Sequence, residues 1–111
     1  MARTVLAVQQ VARTGLTPSF SAANVDGHNV ANDGKVVLEV KNGSGAPINV
    51  TFQTPGSVDG NAIADLVVAV PAGGDKICGP FPPGIYNQAD GTMYVDFSAV
   101  TTVTVAALRM A

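Results

Sequence analysis

Two stretches of this chain alternate between apolar and polar side chains, one over residues 35–41 and the other over residues 48–54. A strand turns successive side chains to opposite faces of a sheet, so a period of two predicts strands with one buried and one solvated face. The turn-rich segment between them, residues 42–47, predicts that they pair as an antiparallel hairpin. The apolar residues expected to face inward are Val36, Leu38, Val40, Ile48, Val50 and Phe52.

Other short strand candidates lie before and after these stretches, and the strands recur at roughly 8–12-residue spacing, which is typical of a sandwich or barrel. One of them is an almost continuous apolar run that ends before Pro71, and its length favours a buried strand. The Pro-rich segment 79–84 that follows predicts a rigid, extended connection. The remaining candidates are residues 20–24, 28–31, 63–70 (the apolar run), 75–78, 93–97 and 100–108.

Composition supports the same fold class. The chain has 17 valines but 5 leucines, and valine suits a pleated surface better than a helical core. A length of 111 residues is enough for one domain. We therefore expect an all-β protein, a single small antiparallel β-sandwich or barrel, jelly-roll-like, with an N-terminal extension. Residues 1–18 would be an arm or first strand, and residues 19–111 the sandwich domain.

The charge pattern argues against several classes of partner. The formal net charge is −2, and the six Lys and Arg residues are scattered, so we expect no nucleic-acid partner. A run of about 20 apolar residues would be needed to span a bilayer, and the sequence has none, so we expect no membrane partner. Gln9, Gln10 and Arg13 interrupt the first apolar patch too early for a signal peptide.

The sequence offers few residues for chemistry. His28 has Asp26 and Asp33 near it in the sequence, so a general base oriented by a carboxylate, with Cys78 or a serine as nucleophile, is one interpretation. A loop histidine and a small buried cysteine are the simpler interpretation. Residues 26–33 superficially resemble a calcium loop but lack its spacing and its terminal glutamate. We expect no enzyme, with no catalytic, cofactor-binding or metal-binding residues.

Without residues for chemistry, the function that the sequence favours is a binding or assembly surface. Carbohydrate binding on an aromatic platform is a weaker alternative, because the chain has no tryptophan. Phe81 and Tyr86 flank the Pro-rich loop and form either a rigid surface contact or a plug of the core. The loop is already stiff, so ordering it at an interface costs little entropy.

Several segments resemble small virion structural proteins of tailed bacteriophages, and together they cover nearly the whole chain. The motifs they contain are structural and include no catalytic signature. The segments are residues 1–15, 29–42, 49–55, 79–88, 95–97 and 103–107.

The resemblance implies a capsid decoration or minor capsid protein, a β domain that binds the outside of the icosahedral head as a homotrimer. Its partner would be the major capsid protein, and its location the virion surface after synthesis in the bacterial host cytoplasm. A head–tail connector or head-completion protein is the alternative implied by the same resemblance. We also expect residues 1–18 to bridge to a neighbouring subunit or to the shell.

Overall fold

The structure, a computed structural model, describes residues 3–55 and 57–110. These residues form twelve strands and one helical turn, α1 (Pro83–Tyr86). The strands are β1 (Thr4–Val5), β2 (Val8–Gln10), β3 (Ser21–Ala22), β4 (His28–Ala31), β5 (Val36–Asn42), β6 (Ile48–Phe52), β7 (Ser57–Val58), β8 (Asn61–Ala62), β9 (Leu66–Val70), β10 (Asp75–Cys78), β11 (Thr92–Phe97) and β12 (Val103–Arg109).

Ten of these strands form two five-stranded sheets that pack together. Sheet I has the order β1-β4-β11-β6-β9. Sheet II has the order β10-β5-β12-β2, and β3 also pairs with β12. The remaining strands, β7 and β8, form a short ribbon. The two sheets do not close on each other, so the predicted all-β fold is confirmed as a sandwich and not a barrel.

The long strands pair antiparallel, as predicted, but the N-terminal strands do not. β1 is parallel to β4, and β2 is parallel to β12. Both are very short strands added at sheet edges, where no hairpin turn fixes the antiparallel direction. The two sheets are therefore mixed.

The core lies between the sheets and consists mainly of the alternating apolar residues. All six residues predicted to face inward from the two alternating stretches are buried, which confirms the predicted faces. Strands β11 and β12 contribute in the same way. Their buried apolar residues are Met93, Val95, Val103, Val105, Ala106 and Ala107.

The predicted hairpin between residues 35–41 and 48–54 is wrong. β5 belongs to sheet II and pairs with β10 and β12, whereas β6 belongs to sheet I and pairs with β11 and β9. Residues 43–47 instead cross from one sheet to the other, so the two apolar faces meet across the core. The side chain of Asn42 stabilises this crossing by donating a hydrogen bond to the carbonyl oxygen of Ala46 (2.9 Å).

Of the buried strand predicted over residues 63–70, the strand is confirmed for Leu66–Val70, but its burial is wrong. The strand begins at Leu66 and lies at the edge of sheet I, so its side chains are largely exposed. Thr54 explains the late start, because its hydroxyl donates to the carbonyl oxygen of Ile63 (2.7 Å) and its backbone N–H donates to Asp65 Oδ1 (3.0 Å).

The other boundaries differ less. Strands 28–31 and 75–78 are confirmed, whereas the candidate over 20–24 shortens to β3. The last strand begins three residues later than predicted, at Val103, after a turn in which Thr102 has a φ of 55°. The Pro-rich connection is not extended throughout, because proline is well tolerated in the first turn of a helix and α1 begins at Pro83.

Candidate assembly surface

One side of the sandwich is closed by the N-terminal strands. β1 lies at the edge of sheet I and β2 at the edge of sheet II. The chain passes from one sheet to the other at Leu6, whose side chain is buried in the core. Very short strands such as these offer little backbone for another chain to pair with.

The opposite side is formed by β9 in sheet I and β10 in sheet II, which residues 71–74 connect. β9 pairs with β6 and β10 pairs with β5; within residues 3–55 and 57–110, neither has a strand on its outer side. An edge strand presents a row of backbone N–H and C=O groups that another strand can pair with. This side of the molecule is therefore the candidate assembly surface.

The register of sheet I shows which backbone groups of β9 point outward. The carbonyl oxygen of Asn49 accepts a hydrogen bond from the N–H of Ser98 (2.9 Å), so the odd-numbered residues of β6 bond towards β11. Antiparallel ladders alternate, so the even-numbered residues of β6 bond to the even-numbered residues of β9. The N–H and C=O groups of Val67 and Ala69 consequently point away from the sheet.

The side chains of β9 are apolar throughout. Leu66 and Val68 lie opposite the buried residues of β6 and share their core-facing side, and Val67 and Ala69 project from the outer face. The exposed fractions of Leu66 and Val67 are 39% and 54%. The strand thus combines free backbone groups with exposed apolar side chains and has no charged residue.

β10, the neighbouring edge, carries charges that hinder pairing. Lys76 lies opposite the fully buried Val40 and shares its core-facing side, yet the side chain is exposed at the edge. An inward-pointing charge on an edge strand discourages a second strand from adding there. Asp75 adds a second charge, although Ile77 is 65% exposed on the outer face. β9 is therefore the edge more open to pairing.

The Pro-rich loop packs the Phe81 side chain into the core and does not present it as an exposed apolar contact. Phe81 is 2% exposed, and the centroid of its ring lies 4.6 Å from that of Phe52 and 5.2 Å from that of Tyr86. Residues 82–84 remain exposed above it. Phe81 thus anchors the loop by filling space in the core, which is one of the two roles predicted for it from the sequence.

The N-terminal segment is divided between the sheets and a surface loop. Residues 4–10 include β1 and β2, whereas residues 11–18 contain no strand and are largely exposed. The side chain of Gln9 ties the ends of this loop, because its Nε2 donates to the carbonyl oxygen of Ser19 (2.8 Å) and its Oε1 accepts from the N–H of Ser19 (2.8 Å). A bridge from residues 1–18 to another subunit stays a prediction.

His28 lies at the start of β4 and is buried, not in a loop. Its Nε2 accepts a hydrogen bond from the backbone N–H of Asn24 (3.1 Å), so Nδ1 carries the proton and donates to the carbonyl oxygen of Thr4 (3.1 Å). Burial lowers the pKa of His28, the bond to Thr4 raises it, and the charge of Arg3 lowers it. The neutral ring joins β1 to the turn before β4, and its partners are backbone groups, not carboxylates.

Asp26 and Asp33 do not converge as calcium ligands would. Strand β4 lies between them and spans about 13 Å along the chain. Asp33 instead forms an ion pair with Arg109, whose Nη2 lies 2.6 Å from Asp33 Oδ2. The hydrogen bond from Arg109 lowers the pKa of this carboxyl group.

Cys78 lies at the end of β10, where its side chain is half-buried at the margin of the core. Burial raises the pKa of its thiol, and the nearby charge of Lys76 lowers it. A raised pKa disfavours the thiolate, which is the nucleophilic form.

A polar network covers part of the outer face of sheet I. Arg3 Nη1 lies 2.7 Å from Asp96 Oδ1, and the Arg3 guanidinium lies 4.4 Å from the centroid of the Tyr94 ring. Gln53 Nε2 donates to Asp96 Oδ2 (2.6 Å). Because Arg3 covers the Tyr94 ring, that ring does not offer the open face on which a sugar would stack.

The sequence did not single out β9 as an interaction edge. An uncharged run of aliphatic residues is expected both for a strand buried on two faces and for an edge strand that pairs with another chain. Asp65 and Pro71, which flank residues 66–70, mark the ends of β9 but not its place in the sheet.

The described part of the chain includes no helix with the length and apolar character needed to cross a bilayer. In comparisons with known proteins, no family model, curated protein or solved structure matched this chain. Over the residues that the structure describes, the molecule is a small β-sandwich whose β9 edge is open and apolar.

Proposed function

We propose that this protein is a structural component of a tailed-phage virion, which binds the outside of the capsid and stabilises it as a decoration or minor capsid protein. The observation that carries the proposal is the open edge of β9, where Val67 and Ala69 direct free backbone groups outward beside exposed apolar side chains. The resemblance of the sequence to small phage virion proteins supports the choice of a capsid as the partner.

The physical requirements of decoration fit this kind of molecule. DNA packed inside a head pushes the shell outward, so a stabilising protein has to touch several subunits at once. Each contact can be weak, because copies linked on one shell bind with a high effective concentration. A rigid sandwich with a stiff, anchored loop at residues 79–86 loses little conformational entropy on binding.

A head–tail connector is the second candidate, since it is implied by the same resemblance. It differs from a decoration protein in copy number, because a connector occupies one vertex and a decoration protein covers the shell. Carbohydrate binding is disfavoured by the packing of the two tyrosines, since Arg3 covers Tyr94 and Tyr86 packs against Phe81.

Quantitative mass spectrometry of purified particles of the phage that encodes this chain tests the proposal. A decoration protein is expected in hundreds of copies per particle, in proportion to the major capsid protein. A copy number that matches a single ring at one vertex would support the connector instead. Absence of the chain from purified particles would contradict both.

A further inference from the structure

We propose that β9 is a self-association edge, which pairs antiparallel with β9 of a second copy of this chain about a two-fold axis at Val68. The two copies of sheet I would then join into one continuous sheet. This inference uses the same edge that supports the proposed function, but it is tested in solution without particles, so its failure and the failure of the virion role can be told apart.

The backbone of β9 is complementary to itself in this register. The outward N–H and C=O groups belong to Val67 and Ala69, which lie one residue on either side of Val68. An antiparallel two-fold through Val68 places Val67 opposite Ala69 of the second copy, and Ala69 opposite its Val67. In an antiparallel ladder such pairs exchange two hydrogen bonds each, so every outward group of the two residues gains a partner.

The charges around β9 are compatible with the same register. Residues 66–70 are uncharged, so the paired strands bring no like charges together. Asp65 of one copy falls opposite Pro71 of the other, which keeps the two carboxylates at opposite ends of the contact. Asp65 Oδ1 is also held within its own chain by the N–H of Thr54 (3.0 Å). Pro71 has no N–H to donate, so the ladder ends there.

The adjacent sheet limits the contact to sheet I. A pairing of β10 with its copy about a two-fold axis at Lys76 would place Lys76 opposite the Lys76 of the second copy. Like charges directly opposite one another destabilise a strand pair. The lysine therefore makes β10 the less favourable edge and β9 the edge that pairs.

The size of the contact predicts a weak dimer. A five-residue strand is about 17 Å long and a sheet is about 10 Å thick, so the pairing covers about 170 Å² of each copy. Stable complexes bury about 1,200–2,000 Å² in total. A second copy is thus bound reversibly and in a concentration-dependent way, which suits a contact that is repeated on a larger assembly.

Sedimentation velocity of the full chain, from micromolar to millimolar protein, tests the inference. We expect a reversible monomer–dimer equilibrium. Ala69→Pro removes an N–H that points away from β6, so it should leave the sandwich folded and weaken dimerisation by about tenfold or more. Val67→Lys puts two positive charges diagonally across the strand pair and should weaken dimerisation similarly. This variant tests the contact even if the proline variant fails to fold.

Ile77→Lys is the matched control, because Ile77 is also exposed (65%) but lies on β10. It should leave the dimer dissociation constant unchanged, and circular dichroism should show that all three variants keep the wild-type strand content. A monomer at every concentration would overturn the inference. A dimer or trimer that survives both β9 variants would overturn it as well.

Discussion

Asn42 Nδ2 lies 3.2 Å from the carbonyl oxygen of Val70, so the end of β5 in sheet II is bonded to the end of β9 in sheet I. The same nitrogen lies 3.2 Å from the carbonyl oxygen of Pro71 and 2.9 Å from that of Ala46. Asn42 is 1% exposed. One buried amide thus joins the β5–β6 and β9–β10 connections, both of which cross between the sheets.

Replacement of Asn42 by alanine should destabilise the protein markedly. The substitution removes the bonds that the Asn42 amide donates to the carbonyl oxygens of Ala46, Val70 and Pro71 and the bond that its Oδ1 accepts from the N–H of Ser44, and each hydrogen bond contributes about 0.5–1.5 kcal/mol. We expect the free energy of unfolding to fall by about 2–3 kcal/mol. Urea denaturation followed by circular dichroism measures this change as a lower midpoint at constant slope.

Asn49→Ala is the control for that measurement, because Asn49 is also in a strand but its side chain is exposed. Surface substitutions of this kind change stability by about 0.5 kcal/mol or less. Equal losses for the two variants would show that the Asn42 amide does not hold the two connections.

The sequence was sufficient to predict which side chains face the core. Val36 and Phe52, for example, are buried because a strand's period of two is local and does not depend on the strand's neighbours. The polarity pattern therefore encodes the inner face of each strand directly.

The sequence was not sufficient to predict which strands pair. Turn-forming residues such as Asn42 and Gly43 occur in a hairpin and equally in a connection that crosses between two sheets, and both keep the same apolar face buried. The choice depends on contacts between residues distant in sequence, such as the bonds of the Asn42 side chain to Val70 and Pro71. For the same reason the position of β9 at a sheet edge could not be predicted, since strand order decides whether an apolar strand is central or lies at the edge.

Gly27 should not tolerate even a methyl group. Its φ is +88°, and a Cβ would lie 2.7 Å from the carbonyl oxygen of Val95 and 2.6 Å from Asp96 Oδ1, and would clash with Arg3 Nη1. We expect Gly27→Ala to lower the free energy of unfolding by more than the roughly 1–2 kcal/mol that a left-handed backbone costs a non-glycine residue. The comparison is Gly91→Ala, where φ is +81° but a Cβ meets nothing within 4 Å. If thermal unfolding gave the same loss for both variants, the close contacts at Gly27, above all with the backbone carbonyl of Val95, would not be the constraint.

Stability should fall as the pH drops below the ordinary pKa of histidine. Burial lowers the pKa of His28 from its usual 6.5, so the unfolded chain binds a proton more readily than the folded chain just below that value. The contribution of neutral His28 to the free energy of unfolding is complete above pH 6.5 and is lost as the pH falls from 6.5 towards the lowered pKa of the folded protein. For one proton this loss is no more than about 1.4 kcal/mol per pH unit. Urea midpoints measured at pH 7.5 and pH 5.5, chosen about one unit either side of that value, test this expectation.

A His28→Gln variant provides the comparison, because glutamine can also accept from Asn24 and donate to Thr4 but does not titrate. The wild type should lose stability between the two pH values, and the variant should lose less. The carboxyl groups of Asp33, Asp90 and Asp96 have pKa values lowered from 3.8, so their contribution is lost only in more acidic solution. An identical pH response in both proteins would mean that His28 is not the group responsible.

The thiol of Cys78 should react slowly in the folded protein. Burial raises its pKa above the ordinary 9.0, which reduces the thiolate fraction at pH 8, and half-burial restricts access. We expect a disulfide reagent to label the native chain more slowly than the urea-unfolded chain. Lys76→Ala should slow native labelling further, because the lysine's charge lowers the thiol pKa, and this extra effect should diminish at high salt. Equal rates for native and unfolded chains would show that Cys78 is fully open to solvent at the β10 edge.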